Sequence, residues 1–495
     1  MPRSIEDYAL ISDCYSGALV GRDGSVDWLC MPRYDSPSVF GALLGSVDHG
    51  RWLLAPADPR ATATRRYDGD TLVLVTRWTT ADGEVEVTDF MPGADHRADV
   101  VRRVRGLRGR VAMRQHLTIR FDYGKTLPWV RQVGEPEAPA LLAAAGPNAV
   151  VVRGPQLVPM DDVHAHASEF RVAEGDVVDL CLTWFHSHRE APPPLDIEAA
   201  LSRTRDWWTE WAHGCIYHGS KYDAEVTRSL IFLRALTHYE TGGIVAAVTT
   251  SLPEAFGGTR NWDYRYVWLR DASLTLSVLV SHGYLEPSVH WRDWLLRAVA
   301  GDPADVQIMY GIAGERDLDE RELTNLPGYQ GAAPVRIGNG ASTQFQGDVI
   351  GEVVMALYAA REAGSHATAD SWALQRALIG HLEKCWDQPD NGIWEIRGEL
   401  RHFTHSRVMV WAALDRAVKS VEKQGLDGPV DRWRGLRDRV RAEIEERGFD
   451  RCATPTSSTT AAARSMRRCF SSHRWATAPT TTRACSARWP RSSRT

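Results

Sequence analysis

The sequence predicts a β region followed by a helical region: an antiparallel β-sandwich over residues 1–190, then an array of paired helices. Three observations predict it. Short segments of alternating apolar and polar residues recur through the first 190 positions. A proline-rich breaker, APPPL at 191–195, then closes them. From about Lys221 the apolar spacing lengthens to that of amphipathic helices. With 43% hydrophobic and 24% charged residues among 495, the composition supports two or three packed domains and excludes collagen-like, wholly disordered and disulfide-scaffold chains.

The β segments include TLVLVTRWTT (71–80), EVEVTDFMP (84–92), AVVVRG (149–154) and VVDLCLTWFHS (177–187). Gly, Asp and Pro clusters separate them, and Asp23-Gly24 within GRDGSVDW is a hairpin signal. Residues 196–214 have helical periodicity ending near Gly214 and read as a linker helix within 191–217. Helices are then expected at 221–240, 270–283, 286–300, 342–363, 367–386, 404–423 and 428–447, with the longest loop at 301–341. Consecutive helix pairs of this kind suggest an α/α toroid over residues 218–450, although seven long helices do not close a double ring of twelve.

Residues 451–495 form a separate tail. It holds nine Arg, three of the eight Cys and no Asp, Glu, Lys, Leu, Ile or Val, so no apolar stripe can build an element there. It reads either as a native basic interaction arm or, the preferred reading, as a GC-rich gene translated out of frame. Residues 1–450 are left with 49 basic against 63 acidic residues. Such an acidic body argues against nucleic acid or an anionic membrane as partner and leaves neutral polar ligands open. No run of about 18 apolar residues predicts a membrane span. The opening MPRSIEDYAL has no apolar signal core, so a cytoplasmic location is expected. Cysteines without a CxxC pair predict reduced thiols.

Two segments are dense in chemistry. In GGTRNWDYRYVWLRDASLTLSVLV (257–280) an aromatic loop with Trp262, Tyr264, Tyr266 and Trp268 runs into Arg270 and Asp271 at a helix start. Asp271 there serves either as a cap favoured by the helix dipole or, with Arg270 and the aromatic faces, as part of a sugar clamp. In DQPDNGIWEIRGELRHFTHSRVMVWAALDRA (387–417), Asn391 and Gly392 break the chain, so Glu395 lies in a loop beside Trp394. A carboxyl shielded by that indole would favour its neutral form, as a general acid requires; the plain alternative is an exposed turn glutamate. His164/His166 and His186/His188 have a spacing that permits metal binding, but surface histidines explain them better. HExxH, P-loop, GxSxG and dinucleotide-binding glycine motifs are absent.

These segments resemble glycoside hydrolase family 15, the glucoamylase and bacterial trehalase-like enzymes. The resemblance covers nearly all of 3–450. It rests on IEDYALISDCYSGALVGRDGSVDWLCMPRYDSPSVFGALLG, GGTRNWDYRYVWLRDAS, GYQGAAPVRIGN with QFQGDVIGEVV, and GIWEIRGELRHFTHSRVMVWAALDRA, in that order. It implies a β-sandwich, a linker and an (α/α)6 barrel, here incomplete, that cleaves α-linked glucose with inversion and uses neither cofactor nor metal. The implied substrate is a small or oligomeric α-glucoside. Glu395 becomes the general acid, Arg270 and Asp271 the pair gripping the terminal glucose, Trp268 and Trp394 its walls, and Tyr310 of IMYGIAGE a pocket residue. The family's general base falls in the later barrel, and no acidic residue follows Asp450. Impaired turnover is therefore expected, with a degenerate sugar-binding protein as the alternative.

Overall fold

The computed structural model describes residues 2–93, 97–160, 164–216 and 219–448. Both readings of the tail therefore lie outside the described residues. Residues 1–440 form one compact unit.

Among the described residues, the first 186 positions build an antiparallel sheet assembly of fifteen strands. One 21-residue strand, Ala98–Thr118, joins its two faces. Its first half pairs with Gly83–Phe90 and Val177–His186, placing Val104 opposite both Val87 and Val178. Its second half pairs with Arg51–Pro56 and Ala165–Ala173, placing Leu117 opposite both Trp52 and His166. The change of face falls at Gly106 and Gly109, where a Cβ would meet the Ala173 and Asp82 carbonyl oxygens at 1.8 and 2.2 Å. Alternation along the strands turns Val85, Val87, Val100, Val104, Met113, Leu117, Leu180 and Leu182 into one buried core around Trp52.

Among the described residues eight helices follow: α1 (Ile197–Ala212), α2 (Asp223–Ala235), α3 (Leu269–Ser281), α4 (Glu286–Ala298), α5 (Val349–Glu362), α6 (Ala369–Cys385), α7 (Thr404–Gln424) and α8 (Val430–Arg447). Helices α3, α5 and α7 lie side by side, each against the next, while α4 and α6 pack behind them. This inner-and-outer order is that of an α/α barrel. α5 is the most enclosed, apolar around nearly its whole circumference as a central helix should be. Among the described residues no helix is long and apolar enough to cross a membrane.

Two expectations are corrected. The helix expected from residue 342 starts only at Val349, because Gly340–Thr343 form a short 3-10 turn and the chain breaks at the polar stretch 344–348. The helix expected to reach residue 240 ends at Ala235, where Thr237 bridges to Ile244 instead. The long loop 301–341 is pinned by two short ladders, Met309–Tyr310 on Val267–Trp268 and Arg321–Glu322 on Arg336–Ile337.

Candidate active site

The loop before α3 alternates like a strand. Asn261, Asp263, Arg265 and Val267 are fully buried, whereas Trp262, Tyr264 and Tyr266 are half-buried. Arg265 anchors the buried side. Its guanidinium donates to both oxygens of Asp263 (2.9 and 2.7 Å), to the Ser36 carbonyl (2.9 Å) and to the Tyr123 hydroxyl (2.9 Å). Trp262 and Tyr264 are thereby turned into a cavity of about 920 Å³, which Trp268, Arg270, Asp271, Trp394, Glu395 and Arg397 also line.

Glu395 stands in a second loop, held at both ends. Asp390, buried, accepts from the backbone N–H of Gly392 and of Gly347 (2.9 Å each). The Asn391 side chain donates to the Ile396 carbonyl (2.9 Å). Glu395 itself adopts φ +53°, a left-handed conformation uncommon for a non-glycine residue. Strain of this kind persists where surrounding contacts over-determine it, and it concentrates at functional sites.

The two loops meet at one carboxylate. Trp268 Nε1 donates to Glu395 Oε1 at 2.8 Å, and Arg270 Nη2 donates to the same oxygen at 3.1 Å. Oε1 is thus taken by two N–H donors, which leaves Oε2 as the atom able to carry a proton. Arg270 also donates to Gln346 Oε1 at 2.9 Å and lies 3.5 Å from Asp271 Oδ2 and 3.8 Å from Asp348 Oδ2. The Asp271 side chain is 43% open to solvent while its Oδ2 is enclosed, and that partial burial raises its pKa.

Beside Arg270 lie Asp348, Glu352 and His405, whose donor atoms sit within 4.8 Å of one another. Burial moves all three toward their neutral forms: Asp348 is pushed up to about 6, Glu352 to about 8, and His405 down to about 4. Their spacing would suit a cation, but the Arg270 guanidinium already supplies positive charge there. The cluster therefore reads as a buried, proton-bearing support for Arg270.

The structure brings Trp268, Arg270, Asp271, Trp394 and Glu395 to one cavity. It does not bring Tyr310 there. That ring is fully buried against Trp294 behind the Val267–Trp268 strand, its hydroxyl accepting from the Gln307 N–H at 2.9 Å. Nor does Trp394 shield Glu395: it is 70% exposed, and the indole on the carboxylate belongs to Trp268. The positive φ at Glu395 turns its side chain away from its neighbour and toward α3. The sequence reading gave no role to Gln346, Asp348, Glu352 or His405. One signal for them exists: Glu352 is the lone charge within the apolar run VIGEVVMALYAA.

The model of the family described as glycosyl hydrolases family 15 matches residues 221–492, and a trehalase-like N-terminal model matches residues 1–178. A trehalase of Mycobacterium tuberculosis is 34% identical over 90% of this chain and 69% of its own length. A trehalase of Thermoplasma acidophilum is 32% identical over 87% of this chain and 74% of its own. Among solved structures, a bacterial glucoamylase complexed with acarbose superposes with a TM-score of 0.65 at 11% identity, covering 90% of this chain and 67% of that one. The latter likeness is one of fold, a β-sandwich followed by an (α/α)6 barrel.

Proposed function

The chain belongs to glycosyl hydrolases family 15 and is a glycosidase, and from that premise we propose that it hydrolyses trehalose with inversion at one anomeric carbon. The observation that carries this reading is the shared cavity in which Arg270 touches Glu395 and Asp271 at once. Arg270 and Asp271 grip adjacent hydroxyls of one glucose, and Trp268 forms its wall. Glu395, through Oε2, delivers the proton to the glycosidic oxygen, and Trp394 covers the open lip. The trehalase relatives favour trehalose over a longer glucan as substrate. In this reading residues 1–190 are the sandwich, 191–217 the linker and 218–450 the barrel region.

Inversion requires a second carboxylate that activates water on the opposite face of the sugar, about 6.5–9.5 Å from the acid. Among the described residues, the other carboxylates lining the cavity are Glu254 and Asp271, and each is tied to an arginine. Asp271 shares the Arg270 Nη2 with Glu395, so it faces the same side of the site as the acid. Water activation is accordingly the weak step of this chain, and turnover is low relative to binding. The same observation favours a second reading, a sugar-binding protein without turnover.

One experiment addresses both. Calorimetry with trehalose is run beside ¹H NMR of released glucose. Inverting hydrolysis yields β-glucose from the attacked half and α-glucose from the leaving half in equal initial amounts. α-Glucose alone contradicts inversion, binding without release supports the second reading, and absence of binding contradicts both.

A further inference from the structure

The cavity has a second pole that the grip on one glucose does not use. Trp262 lies there under two guanidinium groups, Arg397 at 3.8 Å and Arg336 at 4.6 Å from the ring centroid. Its Nε1 donates to Glu254 Oε1 at 3.0 Å, and Glu254 pairs with Arg260 at 2.7 Å. Arg397 makes a two-pronged pair with Glu320 at 3.0 and 2.6 Å, and Glu320 also reaches Arg336 at 3.4 Å. One ladder of alternating charge around an indole thus joins three loops at the cavity mouth.

We infer that Trp262, Glu254, Arg260 and Arg397 form the subsite for the leaving sugar, and that it takes a neutral hexose. This rests on the proposed hydrolysis and names the second half of its substrate. Glu395 and Arg397 are two positions apart on one loop, yet their side chains part: Glu395 turns to Arg270 and Arg397 to Trp262. A glycosidic oxygen at Glu395 therefore has the glucose clamp on one side and the Trp262 pole on the other. That pole offers what a pyranose uses: a carboxylate acceptor and two partly exposed guanidinium donors, one of them held over the Trp262 indole, with side chains 38%, 67% and 43% open for Glu254, Arg260 and Arg397. Each guanidinium is already paired with a carboxylate, so the pole is close to neutral and suits hydroxyls over a phosphate.

The test titrates two sugars into the full chain and its variants: trehalose, which reaches both poles, and 1-deoxynojirimycin, a glucose-sized iminosugar whose cation favours the Glu395–Asp271 pole. Trp262→Ala and Arg397→Ala are each expected to raise the trehalose Kd about tenfold, as the loss of one hydrogen bond from a charged donor, or of the indole that holds that donor in place, would. The iminosugar Kd stays within about twofold if the stack acts on the leaving sugar rather than on the fold. Trp262→Phe, which keeps a ring face and endangers folding less, is expected to retain most of the trehalose affinity. An unchanged trehalose Kd in both alanine variants, or an iminosugar Kd that rises in step with it, overturns the subsite. Failure of the unmodified chain to bind either sugar overturns the proposed hydrolysis and this inference with it.

Discussion

Arg270 presents its donors in a rigid planar fork, and here the fork is divided among Gln346, Asp271 and Glu395, with Asp348 behind. The division holds two carboxylates on one guanidinium at the cavity wall, Glu395 at 3.1 Å and Asp271 at 3.5 Å. Glu395→Gln keeps the Trp268 and Arg270 contacts to a side-chain oxygen but removes the transferable proton. Its glucose release from trehalose is expected to fall by at least about 10²-fold, with substrate affinity little changed. An assay on purified variant and parent, at matched folded fraction, checks this. At this scale the sequence is informative where the chemistry is contiguous. Trp268, Arg270 and Asp271 sit in one motif, and Glu395 sits in a loop that Asn391 and Gly392 open. Contacts between distant segments leave no such trace, so neither the indole partner of Glu395 nor the retreat of Tyr310 into the core is legible.

Among the elements α5 matters most, because it carries Glu352 beneath Arg270, begins right after Asp348 and packs between α3 and α7. Gly351 permits its approach to α7: a Cβ there would meet the Met409 carbonyl oxygen at 2.4 Å. Gly351→Ala is expected to force the two helices apart and cost about 1–3 kcal/mol, read from a shifted denaturant midpoint. Glu352 ties the same helix to pH. Its folded pKa, about 8, lies above its ordinary 4.5, so folding takes up a proton between these values. The stability this gives is complete below 4.5 and lost as pH rises through 8. His405, shifted from 6.5 to about 4, and Asp348, from 3.8 to about 6, act at lower pH. The interval from 6.5 to 8 therefore reports on Glu352. The melting temperature is expected to fall across it, and Glu352→Gln to flatten the fall. Helix positions were readable because apolar spacing is local. The break at 344–348 was not, since glutamines and a glycine ahead of an apolar run look like a helix start until Gln346 is seen to serve Arg270.

At the scale of the molecule, the β region does more than precede the barrel. Trp28 Nε1 donates to the Val248 carbonyl at 2.8 Å, Tyr34 donates to the Ala235 carbonyl, and Arg265 reaches back to Ser36 and Tyr123. Those of Arg265 fix the aromatic loop that carries Trp262 and Trp268. Arg265→Met leaves the Asp263 carboxylate buried without its partner. A loss of about 3–5 kcal/mol is expected, together with weakened sugar binding, in a single unfolding transition spanning sandwich and helices. Two separate transitions, with binding intact, would contradict this coupling. The order of sandwich, linker and helices was legible from a change of apolar period. The coupling was not, because it depends on polar residues buried only once both halves are folded. The central claim, one glucose held by Arg270 and Asp271 with its glycosidic oxygen at Glu395, is tested most directly by a crystal structure of the Glu395→Gln variant soaked with trehalose. The account predicts a glucose ring hydrogen-bonded to residues 270 and 271, with the bridging oxygen facing residue 395. A trehalose seated elsewhere, or an empty cavity at saturating sugar, would contradict it.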